Sequence, residues 1–289
     1  YYAYITGDLN PRLVLLDLLT NSPVFETPLS GPNSGIKPDM DAGDPGQSVL
    51  LAMQFEGSLA WSPDSSHLAF VGAMDNSNTD LYLLNASDLT MSRLSDESSN
   101  AAFINWSPDG RFIEFTTVNN FGTGAGMAMD AIWVYDRSQG STRLLEQATS
   151  GGEEFIAWID NESFYMHSWS ALCSSYDLRI INAVTGGQDL IYERCFSGVA
   201  YDPDEKFGIL AVSDMFIDAC QCGDVDDYAT YGFGERLGYG DPATNFKKFE
   251  YINAYNVELL DPGNLFALYT DQGLSRLFDT TGFPISIRN

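Results

Sequence analysis

Basic residues are scarce in this chain: 14 Lys and Arg stand against 40 Asp and Glu, for a formal net charge of -26. That balance excludes nucleic acid and anionic membrane surfaces as partners, since both need a basic patch. A bound cation, a basic partner or a high-salt setting fits it, and so does plain solubility. Histidine is scarcer still, with only His67 and His167, so a His-rich metal centre is excluded. His167 reads as a hydrogen-bonded core residue before it reads as a catalytic base. There is no run of about 18 apolar residues to cross a membrane. Neither His-Glu-x-x-His nor Gly-x-Ser-x-Gly occurs, which removes the metalloprotease and α/β-hydrolase signatures. The run Phe121-Gly122-Thr123-Gly124-Ala125-Gly126 lacks the Lys-Ser/Thr of a phosphate loop and reads as a flexible connection. No segment shows sustained helical periodicity with caps.

What the chain does have is a repeat. Trp61-Ser62-Pro63-Asp64-Ser65-Ser66-His67-Leu68-Ala69-Phe70 returns 45 residues later as Trp106-Ser107-Pro108-Asp109-Gly110-Arg111-Phe112-Ile113-Glu114-Phe115. Self-similarity at this period marks a solenoid or a propeller. In each copy an apolar strand ends at Trp, Ser-Pro-Asp makes a tight turn, and a second apolar strand follows. The full unit is strand, turn, strand, loop, strand ending in Asp or Asn, turn, strand. It is legible at about 57–95, 102–146, 154–193, 197–251 and 255–289, with an opening unit at 1–29 that lacks its first strand. The closing Asp or Asn recurs at Asp17, Asn85, Asp136, Asn182 and Asp279, where an Asx side chain can bond the next turn. The third strand of the fifth unit falls somewhere in 228–236. Residues 30–56 are an insert, with an apolar stretch at 48–55 that reads as an extra strand. Residues upstream of Tyr1 are expected, because the chain opens inside a strand-like run.

Four-stranded units cannot bury both faces alone, and radial stacking solves that. The expected fold is therefore all-β: a single six-bladed β-propeller of four-stranded antiparallel blades over residues 1–289, its first blade incomplete. Trp-Ser-Pro-Asp-Gly, followed by an apolar-Phe strand and an apolar-Tyr strand closed by Asp, resembles the TolB-like, WD-like β-propeller repeat. The copies at Trp61 and Trp106 match strongly, those at Tyr201 and Leu260 in part, and the one at Trp158 weakly. The resemblance implies a ring used outside the cytoplasm, periplasmic or secreted, for protein binding. It assigns no catalytic residue, because the repeat is a folding motif. Prolyl-peptidase-type enzymes carry similar propellers, but a chain of 289 residues has no room for their hydrolase domain as well.

Two acidic loops are candidate Ca2+ ligands: Asp39, Asp41 and Asp44 in one, Asp224, Asp226 and Asp227 in the other. Alternating Asp near Gly can supply the oxygens Ca2+ takes, although neither loop has the distal Glu of an EF-hand. Chance clustering in an acidic chain is the other reading. Asn85-Ala86-Ser87 and Asn161-Glu162-Ser163 are glycosylation sequons, meaningful only in a eukaryotic secretory source. The four cysteines, Cys173, Cys195, Cys220 and Cys222, fall on neighbouring units and read as disulfides outside the cytoplasm. A Cys220–Cys222 bond would close a very small ring, so the expected pairing joins Cys173 and Cys195 to Cys220 and Cys222. A four-thiolate zinc site is the rival.

The long segments 119–130, 168–177 and 214–229 all join second to third strands. That places them on the blade face shared with insert 30–56, while the opposite face keeps tight turns. Long loops on a rigid scaffold carry binding. The expected function is a non-catalytic, extracytoplasmic protein-binding propeller, as a subunit of an envelope or extracellular assembly. The alternative is a hydrolase or lyase using carboxylates, with or without Ca2+, on the same face.

Overall fold

The computed structural model describes residues 1–7, 9–41, 43–121, 127–147, 152–168, 175–196, 198–203, 206–212, 229–233, 247–249, 265–270 and 273–279. The chain divides into two compact units, Tyr1–Glu153 and Glu154–Asn289.

The first unit holds three antiparallel sheets. A three-stranded one is made of β1 (Tyr2–Ile5), β2 (Arg12–Asp17) and β3 (Ser22–Pro28), in that order. The first four-stranded sheet is β4 (Leu59–Trp61), β5 (His67–Gly72), β6 (Asp80–Asn85) and β7 (Met91–Arg93). The second is β8 (Asn100–Trp106), β9 (Phe112–Phe121), β10 (Met127–Asp136) and β11 (Ser141–Gln147). Strands are adjacent in chain order throughout, so each sheet is a meander. The second unit repeats the pattern. It has β12 (Glu153–Trp158), β13 (Ser163–Ser168), β14 (Ser175–Asn182) and β15 (Gln188–Phe196) in one sheet. A second sheet contains β16 (Gly198–Asp202), β17 (Phe207–Val212), β18 (Ala229–Phe233) and β19 (Lys247–Phe249). Last comes the pair β20 (Leu265–Thr270) and β21 (Gly273–Asp279). The expected strands at 256–260 and 284–288 lie outside the described residues.

The core of the first unit runs through all three of its sheets. Leu13 and Leu15 from β2, Phe70 and Val71 from β5, and Ile113 and Phe115 from β9 are fully buried in one cluster. Stacking removes apolar faces from water that no single meander could hide alone. Trp106 ties two sheets together: its indole N–H donates to Ala60 O at 2.9 Å. Trp61, Trp106 and Trp158 are the last residues of β4, β8 and β12, the first strand of each sheet.

The repeated turns are built as the sequence implies. After β8, Ser107 Oγ donates to Asp109 Oδ1 at 2.8 Å and accepts from Phe112 N–H at 2.9 Å. Asp109 Oδ1 also accepts Arg111 N–H at 3.0 Å. After β4, Ser62, Asp64, Ser66 and His67 make the same set. The recurring Asx residues act likewise: Asp17, Asn85, Asp136 and Asn182 each accept a backbone N–H two residues on.

Two expectations are corrected. Residues 48–55 are not a strand: α1 (Pro45–Gln54) is an α-helix. Pro45 stands in its first turn, where the lost N–H costs nothing. Its buried apolar residues are Val49, Ala52 and Met53, a helical spacing, and they pack into the core beside β8 and β9. A run this short is ambiguous by periodicity alone. Gly46 lets the helix approach residues 35–36: a Cβ there would meet Gly35 O at 2.2 Å. The expected loop 119–130 is instead largely strand, because β9 continues to Phe121 and β10 begins at Met127. Its polar residues pair with each other, Asn119 Nδ2 donating to Asp130 Oδ1 at 3.0 Å.

The two full repeats differ at one strained position. Gly110 has φ +71°, and Ser65, its counterpart, has φ +58°. A Cβ at Gly110 would find ordinary contact distances, the nearest being Pro63 Cδ at 3.5 Å, so backbone strain alone decides. Gly110→Ala should cost about 1–2 kcal/mol. Ser65→Gly should stabilise by about 1 kcal/mol or less, because a more flexible unfolded chain offsets part of the relief. Denaturant unfolding of both variants checks the opposite signs, and a stabilised Gly110→Ala would refute the assignment.

Candidate functional site

The end of the first unit where second strands turn into third strands carries the elaboration. α1 lies there. Ala52 packs with Ala102 of β8 and Val118 of β9, and Phe55 meets Phe103 edge-on at 5.7 Å. The connections are stitched by side chains. Asn78 donates to Ser98 O at 2.6 Å, Thr79 Oγ1 to Ala101 O at 2.8 Å, and Ser99 Oγ lies 2.9 Å from both Asn119 and Asp130. At the other end of the sheets the connections are the tight Ser-Pro-Asp and Asx turns.

Beside the β7–β8 connection is an open cleft of about 510 Å3, lined by residues 93–97 and 140–142. Its charged members are Arg93, Asp96 and Glu97. Arg93 Nη2 reaches inward to Asp80 Oδ2 at 2.9 Å and outward to Asp96. The Asp80 side chain is fully buried, whereas Asp96 is 77% exposed. Burial pushes the Asp80 carboxyl up to about 6 against the pull of Arg93. Burial raises Glu97 too, and Thr142 Oγ1 lies 3.4 Å from its Oε1. Asn76 Nδ2 donates to Asp96 at 2.9 Å, and Ser95 Oγ accepts the Leu81 N–H at 2.9 Å. The carboxylates outnumber the single guanidinium, so the cleft suits a cationic or hydrogen-bond-donating group better than an anion.

The residues singled out in the sequence fall as follows. Asp39 and Asp41 are exposed in the loop before α1. Asp44 occupies the N-cap position, pairs with Lys37 at 3.3 Å and accepts the Asp41 N–H at 3.2 Å. Among the described residues no group of three or more His, Cys, Asp or Glu side chains gathers as metal ligands. Asp224, Asp226 and Asp227 lie outside the described residues, as do Cys173, Cys220 and Cys222. Cys195 is placed by its backbone alone, opposite Tyr176 in the β14–β15 ladder. His167 is buried in β13, with Nε2 3.3 Å from Glu154 Oε2 and Nδ1 3.1 Å from Ser168 O. That hydrogen bond holds Glu154 below the usual carboxylate range. His67 sits at the tight-turn end. Its ring nitrogens lie 3.3 and 3.4 Å from Arg137 Nη2, and the Arg137 guanidinium stands 5.3 Å from the Trp106 ring centre. Burial, and then Arg137, lowers the His67 pKa.

No family model matches the chain, and no curated protein does. The solved structures it is similar to are TolB and other β-propeller proteins. TolB from Acinetobacter baumannii is 15% identical over 81% of this chain and 49% of its own, with a TM-score of 0.43. The β-propeller domain of the trilobed protease from Pyrococcus furiosus is 13% identical over 83% and 68%, with a TM-score of 0.49. The acylaminoacyl peptidase of Pyrococcus horikoshii is 11% identical over 80% and 35%, with a TM-score of 0.48. The chain thus spans about half the length of the Acinetobacter TolB.

Sequence reading passed over two acids in regular strands: Asp80, and Glu114 of β9. Glu114 is completely buried, with Asn105 Nδ2 donating to its Oε2 at 2.8 Å and Thr116 Oγ1 3.4 Å from Oε1. Burial raises its pKa to about 8, so it is neutral at pH 7. The folded state holds this proton more tightly than the unfolded chain does. The stability it contributes is complete below about pH 4.5 and is lost as pH rises through about 8. Glu114→Gln keeps an acceptor for Asn105 and carries no proton to lose. Its melting temperature relative to the parent should rise steadily from pH 5 to pH 9, and a constant difference would show that Glu114 does not titrate there.

Proposed function

We propose that the chain is a non-catalytic, six-bladed, TolB-like propeller that acts outside the cytoplasm and binds a protein partner through its elaborated end. One observation carries the reading: elaboration is one-sided. α1 and the long β9–β10 hairpin sit at the same end of the sheets, while the other end keeps tight turns fixed by Ser and Asp side chains. Random loop growth would decorate both ends. The hydrogen-bonded connections at the elaborated end offer a pre-ordered surface, which lowers the entropic cost of binding. With a net charge of -26, a basic partner would be drawn in faster and released by salt.

The charged groups of the first unit support binding over catalysis. Asp80 is buried behind Arg93, His67 packs against Arg137, and Glu114 is sealed in a sheet. Asp80 and Glu114 are closed to a substrate by burial, and the Ser66 hydroxyl that lies 2.6 Å from His67 Nδ1 also binds Asp64 Oδ1 at 2.7 Å as part of the tight turn. The reading also expects the four cysteines to be oxidised, with Cys173 and Cys195 each joined to one of Cys220 and Cys222.

The test compares charge insertions at the two ends in crosslinking and affinity capture from the native source. Leu50→Lys or Gln54→Lys on α1 should weaken capture of the partner about tenfold or more. Gln139→Lys, at the tight-turn end, should leave it unchanged. The reverse pattern, or equal loss from both ends, would reject the assignment. Peptide mapping without reduction checks the cysteines, and four free thiols would place the chain in a reducing compartment.

A further inference from the structure

The geometry points to Arg93 as an acid-released latch that holds the β7–β8 connection, residues 94–99, against its sheet and sets the width of the cleft beside it. This inference stands apart from the partner reading, because it rests on one network within the first unit.

Side chains hold residues 95–97 of the connection at three places, while beyond them Ser98 O accepts from Asn78 and Ser99 Oγ meets Asn119 and Asp130. Ser95 Oγ accepts the Leu81 N–H at 2.9 Å, a bond indifferent to pH in the working range. Asp96 takes Arg93 and Asn76. Glu97 reaches Thr142 across the cleft. Arg93 joins this segment to the interior, since the same Nη2 that meets Asp96 also meets Asp80 at 2.9 Å. Asp96 is exposed, so its own pairing is weak and screened by salt. The buried contact with Asp80 is the one that fixes the guanidinium.

Among the described residues the charged and titratable groups facing Asp80 can all be named. Arg93 comes from β7, Asp96 and Glu97 from the connection, Tyr82 from β6 itself, and Asp75 from the β5–β6 connection, where it accepts the Tyr82 hydroxyl at 2.9 Å. Arg93 is the only cation among them. Contact with it lowers the Asp80 pKa, while burial and Asp96 raise it, and burial prevails.

The direction of the effect follows by linkage. If Arg93 withdraws and Asp80 stays buried, the carboxyl loses the cation that favours its charge and keeps only the hydrogen bond from the Glu97 backbone, so its proton affinity rises further. Falling pH therefore favours the withdrawn state. Glu97 works in the same direction, because burial raises its pKa as well and its protonation weakens the acceptor facing Thr142. Near pH 7 the connection is held, and between pH 7 and 5 it loosens and the cleft widens.

Hydrogen exchange of the 94–99 amides, corrected for the intrinsic pH dependence of exchange, tests this in the full chain. In the parent the opening equilibrium should rise about tenfold between pH 7 and pH 5. Asp80→Asn, a permanent mimic of the protonated acid, should exchange fast at both pH values. Asp96→Asn should keep the parent's pH dependence. An unchanged parent, faster opening at the higher pH, or loss of the dependence in Asp96→Asn would each overturn the latch. Should Asp80→Asn not fold, carboxyl 13C shifts of the parent decide. Asp80 should titrate clearly above the exposed carboxylates, with the 94–97 amides following the same midpoint. A midpoint in the ordinary carboxylate range, or amides that do not follow, would also overturn it.

Discussion

The indole N–H of Trp106 donating to Ala60 O is the contact on which the arrangement of the first unit depends. It joins the first strands of two successive sheets at the residue where each repeat turns. Around it the joint is closed by Arg137, which stacks on the Trp106 ring, donates to Gly110 O at 2.9 Å and packs against His67 of the neighbouring sheet. Within the second of these sheets Arg111 pairs with Asp136 at 2.8 Å and lies over the Phe112 ring. The tight-turn end is therefore committed to holding sheets together. Loops there cannot lengthen without opening this joint.

The repeat was legible because its signal is chemical as well as periodic. Ser-Pro-Asp can be read as a turn from Pro at one position and two short oxygen-bearing side chains around it, and the structure uses those oxygens on the backbone N–H groups expected. Strands follow such turn sequences closely, as β17 does after Asp202-Pro203-Asp204 and β20 after Asp261-Pro262-Gly263. α1 is ambiguous in sequence because Val49, Leu50, Leu51 and Ala52 are apolar without a break, so neither period stands out. Pro45 after Asp44 was the available signal for a helix start. By propensity 119–130 reads as a loop, because Asn119, Asn120 and Asp130 are turn formers. There the ladder and the Asn119–Asp130 bond override propensity.

The cleft was not legible at all, and the reason is general. Asp80 and Arg93 are 13 residues apart on antiparallel neighbours, and nothing local marks either as buried. Glu114 is hidden more completely, since it occupies the place that Ala69, an apolar residue, holds in the preceding copy of the repeat. A polar residue in an apolar slot is visible in an alignment of the two copies. Its tolerance there, however, rests on Asn105 across the strand pair, which alignment does not reveal.

The acidity itself has a structural component. Asp17, Asp64, Asp88 and Asp136 each accept a backbone N–H two residues on, and Asp64, Asp88 and Asp136 take a neighbouring hydroxyl as well. Such bonds favour the charged carboxylate, and all four are held below the usual range. For Asp17 the backbone bond leads, for Asp64 and Asp88 the hydroxyls lead, and for Asp136 the bonds from Arg111 and Ser138 outweigh burial. Every repeat that closes its turns with Asp adds negative charge whether or not a cation is to be bound. Asn85 and Asn182 do the same turn work uncharged, so the choice of Asp over Asn is where selection for charge can act. The net charge then bears on solubility and on the sign of a partner, while the Arg93 network shows where acidity is tied to geometry: one guanidinium shared by a buried and an exposed carboxylate, on the segment that borders the cleft.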